Sequence, residues 1–188
     1  MNSSSIDKAI EAKVINPEVH QNLLDDIDFY TGIAGIPASM VLKPMSDFCA
    51  EEEQEYVARY RSLPEAGVFG LVYSGQAEAV AAHTKMMAMT AAYLRNFIDA
   101  RLMSVQDVIR MVKNREAQPT VLLIPNFFIQ EGRGGRQAQW EIPELLGLLL
   151  DRHAAEKQTV VYVDSIVDMA KEYGPLFAAH FSEYFVSA

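Results

Sequence analysis

The sequence predicts a three-layer α/β domain around a mostly parallel sheet of about five strands. Three observations predict it. Short apolar runs alternate with helix-length segments along most of the chain. One of these runs, Val68-Phe69-Gly70-Leu71-Val72-Tyr73, leads through the turn Ser74-Gly75-Gln76 into a long Ala- and Met-rich segment ending near Phe97. The run Thr120 to Ile124 is apolar throughout, as a strand covered on both faces is.

The elements follow in order. Residues 1–31 form a short helical extension, and 32–188 the α/β domain. Ser5 caps a first helix, and Asn16 caps a second that opens at Pro17. Val19, Leu23, Leu24, Ile27 and Tyr30 then make an apolar stripe at helical spacing, which either docks on the main domain or faces a partner. Gly32 to Pro37 is a break, and Val41 to Phe48 a linker. Glu51 to Ser62 is a helix whose three leading glutamates suit its dipole and read as solvated. After the strand 68–73 and the helix 77–97 come a short strand at 100–103 and a helix capped by Ser104, with Asp107 three residues on. The strand 120–124 precedes a Gly-rich loop at 129–139. A helix at 140–155, a strand at 159–163 and a helix at 166–185, bent at Gly174-Pro175, complete the chain.

The 188 residues carry a net charge of −9. That balance excludes a nucleic-acid footprint over the whole surface, because phosphate neutralisation supplies much of such affinity. A weak local DNA contact stays open: Arg133 and Arg136 sit in the Gly-rich loop, as a basic tip for DNA backbone or an acidic partner, or as a solvated loop. The single Cys49 and the scattered His20, His83, His153 and His180 offer no metal-ligand spacing, so no metal is expected. No apolar run is long enough to span a bilayer. With no basic, apolar leader at the start, a cytoplasmic protein is expected.

Strand, turn and helix at 68–97 have the layout of a phosphate-binding loop. The residues that loop needs are glycines, a Lys and a Ser/Thr hydroxyl. The chain reads Ser-Gly-Gln-Ala-Glu-Ala-Val-Ala-Ala-His-Thr-Lys instead.

The order of pieces resembles the helicase-loader branch of the AAA+ ATPases, the DnaC/DnaI-type loaders and IstB-type transposition helpers, over about residues 33–185. Gly35-Ile36-Pro37, Phe48 and the helix from Glu51 look like the family's lead-in. Gly70-Leu71-Val72-Tyr73 looks like its first strand. Leu102 to Ile109 is similar to its second strand and Ser-x-x-Asp helix start. Val121-Leu122-Leu123-Ile124 falls at the Walker B strand, Trp140 to Arg152 at the next helix, Gln158 to Ser165 at the sensor strand, and Tyr173 to Phe181 at the arginine-finger region. Matched residue by residue, the loop glycines fall at Ser74, Ala77 and Ala79, the Walker Lys at Val80 and its Ser/Thr partner at Ala81. The acidic pair is Pro125-Asn126, the sensor falls near Asp164 and the arginine finger near His180. Lys85, the nearest lysine, reads as a solvated face residue.

The resemblance therefore implies a pseudo-ATPase without a nucleotide cofactor, since no residue is left to hold phosphate or magnesium. Ser74, Gly75, Gln76, Val80 and Ala81, with Pro125 and Asn126, mark the degenerate site, and Val80 and Ala81 suit a packed helix start. The implied role is an adaptor in DNA replication or a mobile element. Its partners would be a replicative helicase, a transposase or a sister AAA+ ATPase, with Leu23, Leu24, Ile27 and Tyr30 as the candidate face. A regulatory subunit capping an active AAA+ oligomer and a nucleotide binder without turnover stay open as alternatives.

Overall fold

A computed structural model describes residues 3–130 and 139–188. Three helices open the chain, α1 (Ser3–Glu11), α2 (Pro17–Asp25) and α3 (Ile27–Ala34), followed by the short α4 (Ala38–Val41) and by α5 (Glu51–Ala58). The α/β alternation then runs β1 (Gly70–Ser74), α6 (Ala79–Arg95), β2 (Ala100–Leu102), α7 (Val105–Lys113), β3 (Val121–Phe128), α8 (Glu141–Ala154) and β4 (Gln158–Val163). It ends in α9 (Ile166–Tyr173), α10 (Pro175–Tyr184) and β5 (Phe185–Ser187). The five strands pair in the order β2-β3-β4-β1-β5. Every pairing is parallel.

The expected sheet is present, with β1 beginning at Gly70 and not at Val68, and two larger departures have physical reasons. β3 continues past Pro125, because a bulge between Ile124 and Phe128 leaves a position where no ladder N–H is needed. The last helix does not bend at Gly174-Pro175 but breaks into α9 and α10, and the chain then turns into β5. Proline at N1 of α10 starts a new helix and cannot continue the old one.

Two of the three expected caps are present; Ser5 is not one, because α1 already begins at Ser3 and Ser5 lies inside it. Asn16 Oδ1 accepts from the Glu18 N–H at 3.0 Å. Ser104 Oγ accepts from the Asp107 N–H at 3.2 Å. Gly35 sits at φ 73°, and a Cβ there would collide with the Leu102 carbonyl oxygen. Only glycine lets the α3–α4 turn lie on the end of β2.

Two apolar layers cover the sheet. One is built from α6, β1 and the N-terminal helices, and includes Ala9, Ile15, Leu23 and Ile27 alongside Met86, Met89 and Tyr93. The other is built from α7 to α10, with Val108, Phe127, Leu148 and Phe181. The N-terminal helices thus share the core of the α/β domain, and α3 runs across the boundary placed at residue 31. The segment 41–48 is also no plain linker: Val41, Leu42 and Met45 are buried.

The glutamates of α5 divide. Glu51 and Glu52 are exposed, but Glu53 is only 3% exposed. Its carboxylate accepts from the Ala50 N–H at 2.5 Å. It also accepts from the Tyr73 hydroxyl at 3.3 Å and pairs with Lys85 Nζ at 2.5 Å. Lys85 is therefore not a solvated face residue. It neutralises a buried carboxylate, which would otherwise be strongly unfavourable in the core. Burial, and then Glu53, push the neighbouring Cys49 thiol up to about 12, so it is an inert core side chain.

Candidate functional site: the carboxyl edge of the sheet

In an open parallel sheet the binding crevice lies beyond the carboxyl ends of the strands. Here β1 ends at Ser74, and Gly75 follows at φ 112°. A 3₁₀ turn over Gln76–Glu78 leads into α6. The Gly75 N–H donates to the Val163 carbonyl at 3.3 Å and the Glu78 N–H to the Gly75 carbonyl at 3.0 Å. Two amides that a phosphate cradle would aim at its ligand are thereby used inside the fold.

Val80 and Ala81 do not pack. Val80 is 81% exposed, because the first turn of α6 stands clear of the sheet and burial begins at Ala82. Beside it is a cavity of about 690 Å³ lined by Val80, His83, Met87, Met103, Pro125 and Asn126, among others. This opening was not legible in the sequence, since an apolar residue at a helix start reads as a core residue.

Pro125 and Asn126 lie in the β3 bulge. The Asn126 side-chain oxygen accepts from the Val105 N–H at 2.9 Å. Together with Ser104 it satisfies amides of the first turn of α7, which no intrahelical carbonyl reaches. Asn126 is thus a helix cap supplied from a neighbouring strand.

Asp164 anchors a polar knot at the end of β4. Its Oδ2 accepts from the Gln130 N–H at 2.9 Å. The Tyr162 hydroxyl lies 2.7 Å from Asp164 Oδ1 and 3.0 Å from the Gly75 carbonyl oxygen. The Gln130 side chain receives a hydrogen bond from Gln76 Nε2 at 2.7 Å and donates to Asp168 at 2.6 Å. Asp168 also binds Lys171 Nζ at 2.7 Å. That bond, with the Ser165 contact, holds the Asp168 carboxyl below its usual range. Among the described residues the knot presents amides and two carboxylates, and Lys171, the cation bound to it, is already paired. An incoming triphosphate would face like charge here.

Gln130, Tyr162 and Asp168 were missed in the sequence. Only Ser165-x-x-Asp168 carried a signal, as a helix start: Ser165 Oγ accepts from the Asp168 N–H at 3.2 Å.

The remaining expected positions scatter. His180 is 6% exposed and packs with His153, Tyr184 and Phe185. Burial, and secondarily His153, lower its pKa. A neutral, buried imidazole cannot serve as a finger reaching a neighbouring subunit. Arg133 and Arg136 lie outside the described residues. The proposed partner face divides: Leu23 and Ile27 are buried in the core, Leu24 is half-buried against it, and Tyr30 is exposed. The first two cannot meet a partner, because the stripe docks on α6 and the sheet. Among the described residues no group of three or more His, Cys, Asp or Glu side chains is placed to hold a metal ion. No helix among them is long and apolar enough to cross a membrane.

No family model matches the chain, and no curated protein sequence matches it. Solved structures do. The crystal structure of the DnaC helicase loader superposes with a TM-score of 0.52 at 16% identity, over 72% of this chain and 84% of that one. The fold is that of the AAA+ P-loop NTPases. DnaA from Aquifex aeolicus, in its AMPPCP-bound structure, is similar with a TM-score of 0.50 at 13% identity, over 77% of this chain. The chain spans about half of that DnaA structure, 49%. Likeness at these identities shows the fold alone, and the chemistry of the crevice rests on this chain's own residues.

Proposed function

We propose that this chain is a non-hydrolysing AAA+-like adaptor that acts through protein contacts in DNA replication or in a mobile genetic element. One observation carries the reading. Among the described residues, the positions matched to phosphate and magnesium ligands are apolar and exposed, as Val80 is, or engaged within the fold, as Asn126 and Asp164 are. Positioning and charge neutralisation supply nearly all of phosphoryl-transfer catalysis, so a crevice without them has little to offer ATP. The likeness to a helicase loader supports placing the partner among replicative helicases, transposases or sister AAA+ ATPases.

Magnesium-dependent ATP hydrolysis by the pure protein tests it. Turnover at the buffer background is expected, with Asn126→Ala unchanged. Hydrolysis above background that Asn126→Ala abolishes would overturn the reading.

A second reading, a subunit that caps an active AAA+ oligomer, is favoured by the apolar cavity beside Val80, which offers a neighbouring subunit a packing surface in place of a nucleotide. It predicts that this protein alters the ATPase rate of a sister AAA+ protein, and that Val80→Asp removes the effect.

A further inference from the structure

Phe185 anchors β5 to the sheet. The other two residues of the strand, Val186 and Ser187, are exposed, and Phe185 is half-buried. Its ring lies on Gly70 of β1, where a Cβ would collide with it. The bare backbone at Gly70 is therefore the seat of this ring. The ring also packs on Phe181 at 4.6 Å and on His180 at 5.7 Å. The Phe69 N–H donates to the Tyr184 carbonyl at 2.8 Å and the Ala188 N–H to the Val72 carbonyl at 3.1 Å, so residues 184–188 cover the edge of β1.

The roof of the seat is an imidazole. His180, on α10, is 6% exposed and also packs on His153 at 5.6 Å and Tyr184 at 5.2 Å. His153, in the last turn of α8, stacks on Phe69 at 3.9 Å and meets Tyr184 edge-on at 4.3 Å. The approach to β1, the end of α8, α10 and β5 thus meet in one box of rings. A proton on His180 would place a full charge inside that box, away from water. The ionisable groups around it are His153 on α8 and, on its own helix, Tyr184 and Glu183. Burial is the largest effect and lowers the His180 pKa; His153 adds to it, and Glu183 acts the other way. Glu183 is exposed, and its carboxylate takes the Tyr184 hydroxyl at 2.8 Å.

We propose that residues 184–188 are a proton-operated latch on the edge of β1. With His180 neutral the Phe185 ring is seated and β5 covers that edge; a proton on His180 releases the segment while the rest of the sheet stays folded. This regulation is independent of the adaptor reading. Releasing the latch hydrates the charge at the smallest loss of packing. β5 gives up one half-buried ring, whereas β3 and β4 are buried along most of their length. Release uncovers the backbone of Gly70–Val72, which pairs with β5 in the closed state and is then free to pair with another strand. The pH window follows from linkage. The closed latch holds His180 neutral, and the open one returns it to water and its ordinary value near 6.5. The opening constant therefore grows as pH falls below that value, by up to about tenfold per pH unit, and levels off above it.

Amide hydrogen exchange on the full chain, corrected for the intrinsic rate at each pH, tests this. The Phe69 amide reports the latch. The Met103 amide, bonded to the Leu123 carbonyl at 2.9 Å on the far side of the sheet, reports global opening. Phe69 should exchange faster than Met103 and without its sensitivity to dilute urea. Its protection should fall severalfold, up to about tenfold, from pH 7.5 to 5.5, and stay level from 7.5 to 8.5. His180→Phe should abolish that step. Phe185→Ala should lower Phe69 protection at pH 7.5 and move the titration midpoint of the His180 ring up toward 6.5. Equal protection at Phe69 and Met103 overturns the proposal, because release would then need global unfolding. So does a wild-type chain without the pH step, or a step that survives in His180→Phe. Should His180→Phe fail to fold, the Phe185→Ala midpoint decides: one that does not move overturns the latch.

Discussion

At the amino edge of the sheet the chain buries a full positive charge, and at the carboxyl edge, where phosphate would require one, it exposes Val80. Arg152, at the end of α8, has no measurable exposure. Its guanidinium donates to Thr159 Oγ1 at 2.8 Å and to the carbonyls of Pro119 at 2.9 Å, Thr120 at 3.3 Å and Gln158 at 2.5 Å. All four partners are neutral, and they tie the starts of β3 and β4 to α8. Burial lowers its pKa to about 9, which leaves it charged at neutral pH. The cation at this edge serves packing. Among the described residues the other edge shows no such buried cation, and the polar groups of its knot bond one another. Within one sheet, the charge that ties elements together at the amino edge and the residues that line the crevice at the carboxyl edge are separate sets.

The largest expected effect tests the structural edge. Arg152→Met leaves four acceptors short of a donor, each costing about 1 kcal/mol, so a loss of about 3–4 kcal/mol is expected. Thermal unfolding should show a fall of roughly 10 °C. A fall of a degree or two would mean that the amino edge is no more committed than the crevice.

Lys85→Met comes next. It strands the Glu53 carboxylate with the Tyr73 hydroxyl and one backbone amide, and about 2–3 kcal/mol should be lost, less than for a fully buried pair because Lys85 is partly exposed. Burial and Glu53 already hold the Tyr73 phenol above its usual range, so it stays a donor to the carboxylate. Glu53→Gln in the Lys85→Met background should restore part of the loss. No restoration in that double-mutant cycle would mean that the charge pair contributes little.

Asn126→Ala removes the oxygen that caps α7, and about 1 kcal/mol of stability is expected to go with it. Nucleotide behaviour should not change. A change in ATP affinity without a change in stability would return Asn126 to the role its strand position implies in an active ATPase.

The pH response reports on the amino edge again. His180 is held neutral in the folded chain by burial, so the unfolded chain binds more protons between its depressed folded pKa and the ordinary 6.5. Stability should therefore rise with pH through that interval and level off above it. Denaturant titrations across pH 5 to 8 measure the slope, and His180→Phe should flatten it if this imidazole is the source.

The same contrast explains what could be read in the sequence. The strands at Val68, Thr120 and Thr159 were legible because each is a continuous apolar run, and the caps at Asn16 and Ser104 because a cap is settled within three residues. β5 was not legible: Phe185-Val186-Ser187 continues an apolar helix pattern, and only its place beside β1 makes it a strand. That residues 74–81 lack phosphate-binding residue types was visible. What those positions and their neighbours do instead was not. Glu53 needs Lys85, 32 residues away, to be a core residue. Asn126 needs the start of α7, and Gln130 needs Gln76 and Asp168. Hydrogen bonds closed across the fold leave no trace in local spacing, so the residue types of the crevice were legible and their partners were not.

That distinction sets the smallest and sharpest test, Val80→Lys with Ala81→Thr. Both positions are exposed, so stability should shift by no more than about 0.5 kcal/mol. If the site were merely missing two side chains, the pair should restore magnesium-dependent nucleotide binding. The geometry argues for the opposite result. Gly75 and Glu78 still spend their amides inside the fold, Asn126 still caps α7, and Gln76, Gln130 and Asp168 still bond one another. Two side chains added at the exposed start of α6 release none of these groups, and calorimetry with ATP and magnesium should register no gain in binding. Recovery of tight binding would show that the knot yields to a ligand and that the carboxyl edge is an emptied ATPase site, not a rebuilt one.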